Sequence, residues 1–323
     1  MSFKILLLNP SHPVLQEKLM EAGFICVENF TDSKEQIEAI VHEYDGVILR
    51  SRINIDEAIV NKGKRLKFVA REGVGIEHIA VKYAKQQGIK VITSPEGSRD
   101  TVGEHALGML LALLNNLVRA DQQIRQGKWE RESNRGIEIK GKTVGILGYG
   151  NMGRSFAKKI SGFEANVIAY DKFKTGYGDK FATEASLETL FAEADILSIH
   201  IPYQEGNFHF IDGAFLTNFK KDIFVVNTAR GLVLNTADLV EKMKAGQVRG
   251  AALDVLEYEE QSFDSWNFEE LPTAFHYLVK AENVVLAPHI AGWSFESKEG
   301  HARVLAEKII SRWKVDGKRR TEA

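Results

Sequence analysis

The stretch that decides the fold is TVGILGYGNMGRSFAKKI, Thr143–Ile160. An apolar run, Val144–Leu147, leads into Gly148, Gly150 and Gly153, and an amphipathic segment follows. With 27 glycines in 323 residues, composition alone yields this G-x-G-x-x-G spacing about 0.2 times per chain, so the spacing by itself is weak. The context strengthens it, because a strand precedes the glycines and a helix follows. The first glycine permits a tight turn. The second lets backbone amides approach a pyrophosphate at the helix N-terminus, and the third lets the helix pack against the strand. Asn151 and Met152 lie between the last two glycines and belong to the same loop. The next strand, VIAYDK, ends at Asp171. A carboxylate at that place accepts hydrogen bonds from ribose hydroxyls and repels a 2′-phosphate, so NAD is expected over NADP. Lys172 and Lys174 weaken that preference slightly.

Outward from the glycine loop the same alternation continues in both directions. KILLLN, FICVEN, GVILRS, KFVARE and KVITSP form one series of short apolar runs. TVGILG, NVIAYD, DILSIHIP, IFVVNTARG, GAALDV and NVVLAPH form a second. Amphipathic segments separate the runs, the signature of parallel sheets with crossover helices. The fold class is therefore α/β, with two doubly wound parallel-sheet domains. Between the series lies DTVGEHALGMLLALLNNLVRADQQIRQGKW. Thr101 and Glu104 predict a capping box, and Gly127 a stop, giving one helix of about 26 residues, long for a globular protein. Such a helix serves as a linker, a dimer face, or both. SFESKEGHARVLAEKIISRWK reads as a last amphipathic helix that fits either domain.

Composition bounds the function. Hydrophobic content is 44% and formal net charge is -2, which argues against a nucleic-acid or polyanion binder. The basic triplet Lys318–Arg320 reads as a solvated tail. The single cysteine, Cys26, excludes an intramolecular disulfide framework and a Cys-rich metal site, and its apolar neighbours predict a buried strand thiol. No signal peptide and no long uninterrupted apolar run are found, so a cytoplasmic location without membrane contact is expected.

In doubly wound sheets, ligands bind beyond the carboxyl ends of the strands. Arg230 follows IFVVNTA, Asp254 and Glu257, Glu259 and Glu260 follow GAAL, and His289 follows VVLAP. Singly, each has a bland reading: a strand-end histidine is usually packed, and a loop arginine or glutamate is usually surface charge. Together they are the parts for reducing a 2-keto acid. Arginine holds the substrate carboxylate by a two-pronged charge-assisted bond. Histidine gives a proton to the carbonyl oxygen as hydride arrives. A carboxylate beside the histidine favours its charged form. No second histidine or cysteine sits at ligand spacing, so no metal is expected.

Over nearly its full length the chain resembles the D-isomer-specific 2-hydroxyacid dehydrogenases. The segments that carry the likeness are RSRINIDEAIV, REGVGIEHIAV, TVGEHALGMLLAL, GKWERESNRGIEIKGKTVGILGYGNMG, NTARGLV, GAALDVLEYE and LAPHIAG. The resemblance implies Arg230 as the substrate-binding arginine, Glu259 as the histidine's partner and His289 as the acid/base. One departure is that Glu-Pro, frequent in the family, is here Glu259-Glu260-Gln261, followed by an acidic, aromatic insertion through about residue 280. Spacing selects Glu259, with Glu257 and Glu260 as alternatives.

The resemblance further implies a discontinuous flavodoxin-like substrate domain, residues 1–98 plus 294–323. It encloses a Rossmann NAD domain, residues 99–293, with a cleft between the two. Additional cofactor contacts are expected at Val102, His200, Pro202, Thr228, Ala229 and Asp254. In the first domain, Gly73, Val74 and Gly75 line the cleft and offer amides to the substrate carboxylate. A homodimer is implied through the helix from Thr101.

The nearest likeness is to phosphoglycerate dehydrogenases without a regulatory domain. Arg50, Arg52 and Arg71 are the candidates to face a substrate phosphate, since guanidinium suits phosphate clamping. The bland alternative is that Arg50 packs and Arg52 is solvated. Trp293 stands where it narrows the pocket or covers the nicotinamide. The expected substrate pair is 3-phosphoglycerate and 3-phosphohydroxypyruvate, with serine biosynthesis as its setting. Glyoxylate, hydroxypyruvate and other keto acids are alternatives. A different class, an NADH-sensing protein-interaction module, is set against the enzyme by the complete Arg–Glu–His set.

Overall fold

In the computed structural model, residues 3–259 and 268–313 are described. Glu260, the part of the acidic insertion from Gln261 to Asn267, and the basic triplet at the C-terminus lie outside the described residues. The chain divides into two compact units, Met1–Ser98 with Trp293–Ala323, and Arg99–Gly292. The second crossing falls before Trp293, one residue ahead of the expected position.

The first unit is a five-stranded parallel sheet. Its strands are β1 (Lys4–Leu7), β2 (Ile25–Glu28), β3 (Gly46–Leu49), β4 (Phe68–Arg71) and β5 (Lys90–Thr93), in the order β2-β1-β3-β4-β5. Side chains alternate between faces along a strand. Leu6, Val47, Leu49 and Val69 build the core on one face, and Ile5, Leu7, Ile48, Phe68 and Ala70 build it on the other. The helix Phe295–Trp313 closes the second face with Ala302, Leu305, Ala306 and Ile309. Phe68 is fully buried, and Gly46 makes room for it, since a Cβ on Gly46 would stand 2.2 Å from the ring. Burying such a side chain contributes about 2–3 kcal/mol. Cys26, expected to be buried, is only half-buried because β2 is an edge strand. Burial, with Glu28 nearby, pushes its thiol up to about 11, so it is a poor nucleophile.

The second unit is a seven-stranded parallel sheet. Its strands are β6 (Thr143–Leu147), β7 (Asn166–Tyr170), β8 (Thr183–Glu184), β9 (Ile196–Ile199), β10 (Ile223–Asn227), β11 (Val248–Leu253) and β12 (Val284–Leu286). The order β12-β11-β10-β9-β6-β7-β8 puts the first strand inside the sheet, with β7 on one side and β9 on the other. Chain direction across the sheet reverses at β6, the place where such sheets bind ligands. The two-residue strand β8 has no signal in the sequence, because neither residue is buried.

The expected single helix from Thr101 is instead two helices, Arg99–Leu114 and Leu117–Arg125. Thr101 lies inside the first, which begins two residues earlier, so it is not a cap. The break is at Asn116, whose φ of 53° is left-handed, a conformation asparagine tolerates better than most residues. The Asn116 side chain donates to Arg135 O at 3.3 Å, which fixes the corner. Gly127, at φ 77°, ends the second helix.

Candidate active site

The register of the second sheet sets the site. Asn227 pairs with Leu253, and Leu253 pairs with Leu286. Strands β10, β11 and β12 therefore end side by side, and the residues just past them share one edge: Thr228–Arg230, Asp254–Glu259 and Ala287–His289.

His289 is held by its backbone and by its ring. Its φ is 55°, a left-handed conformation that costs about 1–2 kcal/mol for a residue with a Cβ. Asp254 restrains that turn from the neighbouring strand. The carbonyl of Asp254 accepts from His289 N at 2.7 Å. Its fully buried carboxylate accepts from Ile290 N at 2.9 Å and Ala291 N at 2.8 Å. His105 Nε2 stands 3.2 Å from the same carboxylate. Burial pushes the Asp254 carboxyl up, but His105 and the two amides outweigh it and hold it below the usual range.

His289 Nδ1 lies 2.6 Å from Glu259 Oε2. With Nδ1–H donating to the carboxylate, the tautomer and orientation of the ring are set. The second Glu259 oxygen accepts from Leu256 N, so the carboxylate is fixed at both oxygens. Glu257 is occupied elsewhere. It meets His209 Nε2 at 2.7 Å and accepts from Thr236 N at 2.9 Å, capping the helix Thr236–Lys244. Of the glutamates named from the sequence, Glu259 stands at the histidine and Glu257 does not.

Arg230 is shaped by Asn227, which is fully buried. The Asn227 side chain accepts from Ala229 N at 3.0 Å and donates to Arg230 O at 3.1 Å. Arg230 Nη1 donates to Ala229 O at 2.8 Å, which restrains the guanidinium at the end of β10. Gly231 lies flush against the glutamate turn, since a Cβ there would stand 1.9 Å from Leu256 O. That close approach ties the arginine turn to the turn that carries Glu259.

The glycine loop follows β6. Gly148 has φ 95°, and a Cβ on it would press on His200 O at 2.9 Å. Gly153 sits against the loop, with a Cβ position 2.1 Å from Gly148 O. Gly150, the N-cap of the helix Asn151–Ile160, faces open space and no side chain caps that helix. The first and third glycines are thus required by packing, and the middle one leaves room at exposed amides, which fits a pyrophosphate. Asp171 closes β7 and accepts from Tyr149 N and Phe173 N, each at 3.0 Å. Two buried polar atoms near this edge, Thr228 Oγ1 and His200 Nδ1, find no hydrogen-bond partner among the described residues. Such orphans are rare and are consistent with a site that a ligand completes. Burial pushes His200 down to about 3, so its ring is neutral, and Nε2 meets Ser198 Oγ at 2.8 Å. Val102 is buried on the helix Arg99–Leu114, and Pro202 is exposed past β9.

The first unit holds its own cluster at the carboxyl ends of β3, β4 and β5. Gly73 has φ 149° and lies under the Arg71 guanidinium, with a Cβ position 1.8 Å from Nη1. Gly73 N donates to Ser94 Oγ at 3.2 Å, and His301 Nδ1 meets Ser94 O at 2.7 Å. Val74 is exposed, and Gly75 is buried. Arg50 N donates to Asn9 at 2.8 Å, and its guanidinium lies 5.2 Å from the centre of the Trp293 ring. Arg52 is neither solvated nor free for phosphate. It donates to the carbonyls of Leu8, Asp32 and Asn29 at 2.8, 2.6 and 2.8 Å.

His105, Asn227 and Ser94 are parts of these arrangements that the sequence did not indicate. A histidine in an apolar helix and an asparagine closing a buried strand were the only available signals.

The family model of the D-isomer specific 2-hydroxyacid dehydrogenase NAD binding domain matches residues 107–291, and that of the catalytic domain matches residues 5–195. The chain belongs to the D-isomer-specific 2-hydroxyacid dehydrogenase family. It is 36% identical to hydroxypyruvate reductase of Thermotoga maritima over 277 residues, 86% of this chain and 87% of that protein. It is 34% identical to D-3-phosphoglycerate dehydrogenase of Archaeoglobus fulgidus over 281 residues, 86% of this chain. The chain spans about half the length of that relative (51%). The structure of D-2-hydroxyisocaproate dehydrogenase superposes with a TM-score of 0.81 at 26% identity, covering 99% of both chains. That of D-lactate dehydrogenase from Aquifex aeolicus, complexed with NAD and lactic acid, gives 0.78 at 27% identity, covering 96% of this chain and 95% of that one. The NAD-binding unit of this family is the second unit, and the cofactor is NAD. Among the described residues, no helix is long and apolar enough to cross a membrane.

Proposed function

We propose that the protein interconverts D-2-hydroxy acids and 2-keto acids. The observation that carries this reading is the His289–Glu259 pair at 2.6 Å, beside the strand end that presents Arg230. NAD, when bound, supplies the hydride or accepts it at substrate carbon 2. Gly148, Gly150, Asn151, Met152, Gly153 and Asp171 hold the cofactor, with Val102, His200, Pro202, Thr228 and Ala229 around it. Asp254 acts by positioning, because its carboxylate is taken by the His289 turn and His105.

Arg230 binds the substrate carboxylate, and the amides of Val74 and Gly75 add to that grip. His289 Nε2 gives a proton to the keto oxygen during reduction and takes it back during oxidation. Glu259 keeps Nδ1–H donating, so Nε2 is the nitrogen presented, and it stabilises the ring when the ring carries the proton. The substrate is a three-carbon 2-keto acid with an oxygen at carbon 3, a class that includes 3-phosphohydroxypyruvate and hydroxypyruvate. Arg50 and Arg71 favour the phosphorylated member on charge alone. The active form is a homodimer, which light scattering of the purified protein tests.

His289→Asn is expected to lower kcat for NADH-dependent reduction of these keto acids by about 10²–10⁴-fold, the usual worth of a general acid. NADH affinity, read by fluorescence titration, is expected to stay unchanged. Normal turnover by the variant overturns the assignment.

A further inference from the structure

Within the second unit, one charged group beside the glycine loop has no part in the assignments above. Lys174 lies three residues past Asp171, and its side chain is half-exposed. Its Nζ donates to Tyr149 O at 2.7 Å, so the ammonium is tied to the glycine loop itself. The same Nζ stands 3.9 Å from Asp171 Oδ2. Asp171 is held in turn by the loop, since Oδ2 accepts from Tyr149 N at 3.0 Å. Carboxylate, ammonium and glycine loop therefore form one closed cluster. The other cations here are turned to different partners. Arg154 Nε donates to Asp179 Oδ2 at 2.7 Å, and the Tyr149 hydroxyl donates to Asp179 Oδ1 at 2.8 Å. Lys172 Nζ lies 5.9 Å from the centre of the exposed Phe173 ring. Of the two lysines that follow Asp171 in the sequence, Lys174 is the one that forms an ion pair with its carboxylate.

We infer that Lys174 opens the cofactor site to NADP as well as NAD, by offsetting Asp171 and meeting the 2′-phosphate. This rests on the glycine loop as the dinucleotide site, and not on the choice of keto acid. A carboxylate at the end of β7 disfavours NADP because it takes the ribose 2′-hydroxyl and repels a phosphate in that place. The repulsion follows the net charge at the spot, and here an ammonium accompanies the carboxylate. A phosphate on the ribose oxygen that Asp171 otherwise accepts arrives within reach of the same ammonium. An ammonium has three N–H donors, and the Tyr149 carbonyl takes one. Water screens a half-exposed lysine, so the effect is graded: NADH stays the tighter ligand and NADPH follows.

The test is a fluorescence titration of the full-length protein with NADH and with NADPH at low ionic strength, without keto acid. The wild type is expected to bind NADPH with a Kd within about tenfold of that for NADH, a gap that widens with added salt. Lys174→Met is expected to lose affinity for NADPH at least about tenfold more than for NADH, as removal of one nearby opposite charge requires. Lys174→Arg should keep the wild-type ratio, and so should Lys172→Met. The half-exposed side chain makes the substitution tolerable to the fold, which a thermal melt checks. A wild type that binds NADH but not NADPH overturns the inference. So does an equal loss of both nucleotides in Lys174→Met, which would reduce the lysine to a support of the loop. Binding of neither nucleotide by the wild type overturns the glycine-loop assignment, and the inference falls with it.

Discussion

At the residue scale, two glutamates two positions apart do different work. Glu259 meets the histidine, and Glu257 caps a helix and meets His209. Their variants should separate accordingly. Glu259→Gln is expected to lower kcat by about 10²-fold, because the pair that fixes the imidazole tautomer is lost, with Tm little changed. Glu257→Ala is expected to leave kcat close to wild type and to cost about 1–3 kcal/mol of stability, since the buried Thr236 amide and the half-buried His209 ring lose their acceptor. Steady-state kinetics beside thermal melts tell the two apart, and the reverse pattern would exchange their roles. Asp254 supplies a pH test. Its folded value lies below the ordinary 3.8, so it stabilises the fold above that pH, and the contribution is lost as pH falls through the folded value. Asp254→Asn should therefore melt lower than wild type at pH 6, and the gap should close in strong acid; a gap constant over pH would refute the assignment. Glu259 was legible by its spacing from Asp254. The support given by His105 and Asn227 was not, because it depends on contacts between residues far apart in the chain or on burial that no local pattern records.

At the element scale, the glycine loop makes three glycines unequal. Gly153→Ala drives a methyl into Gly148 O, so the helix must lift from the strand, at a cost of about 1–3 kcal/mol typical of overpacking. Gly150→Ala meets nothing in the protein. It should fold with an unchanged Tm yet bind NADH at least tenfold more weakly, since its methyl takes the space where the pyrophosphate approaches. Melting curves with NADH titrations test both, and unchanged NADH affinity in Gly150→Ala would remove the pyrophosphate from that place. Here sequence reading went far, because strand, loop and helix are consecutive and each glycine has a local reason. It failed in the segment after Arg99, where helical periodicity runs on through Asn115 and Asn116 but the backbone turns left-handed at the second asparagine. Helix propensity disfavours asparagine only mildly, so a corner fixed by a distant carbonyl, that of Arg135, leaves little local trace.

At the scale of the whole molecule, two series of strands announced two sheets, and the strand order within each agrees with doubly wound topology. Membership of the last helix was not legible from its pattern, since an amphipathic face fits any apolar sheet. Only the resemblance assigned it, and in the structure its Ala302, Leu305, Ala306 and Ile309 complete the core of the first unit. The consequence is an asymmetry between the units. The first needs both ends of the chain, whereas the second is continuous from Arg99 to Gly292. The second unit's buried clusters are made of its own residues, and it carries the glycine loop, Asp171, Arg230, Glu259 and His289. A segment of that size is large enough to bury a core unaided. Expressed alone, residues 99–292 are expected to unfold cooperatively and to bind NADH with an affinity close to that of the full chain. They should not reduce any keto acid, because Val74 and Gly75, proposed to hold the substrate carboxylate through their amides, are absent. Calorimetry, fluorescence titration and an NADH oxidation assay on the same preparation read the three properties separately. A folded fragment that binds no NADH would mean that cofactor binding requires residues outside 99–292. A fragment that still turns over would take the first unit's residues out of the substrate assignment and leave Arg230 to hold the substrate carboxylate alone.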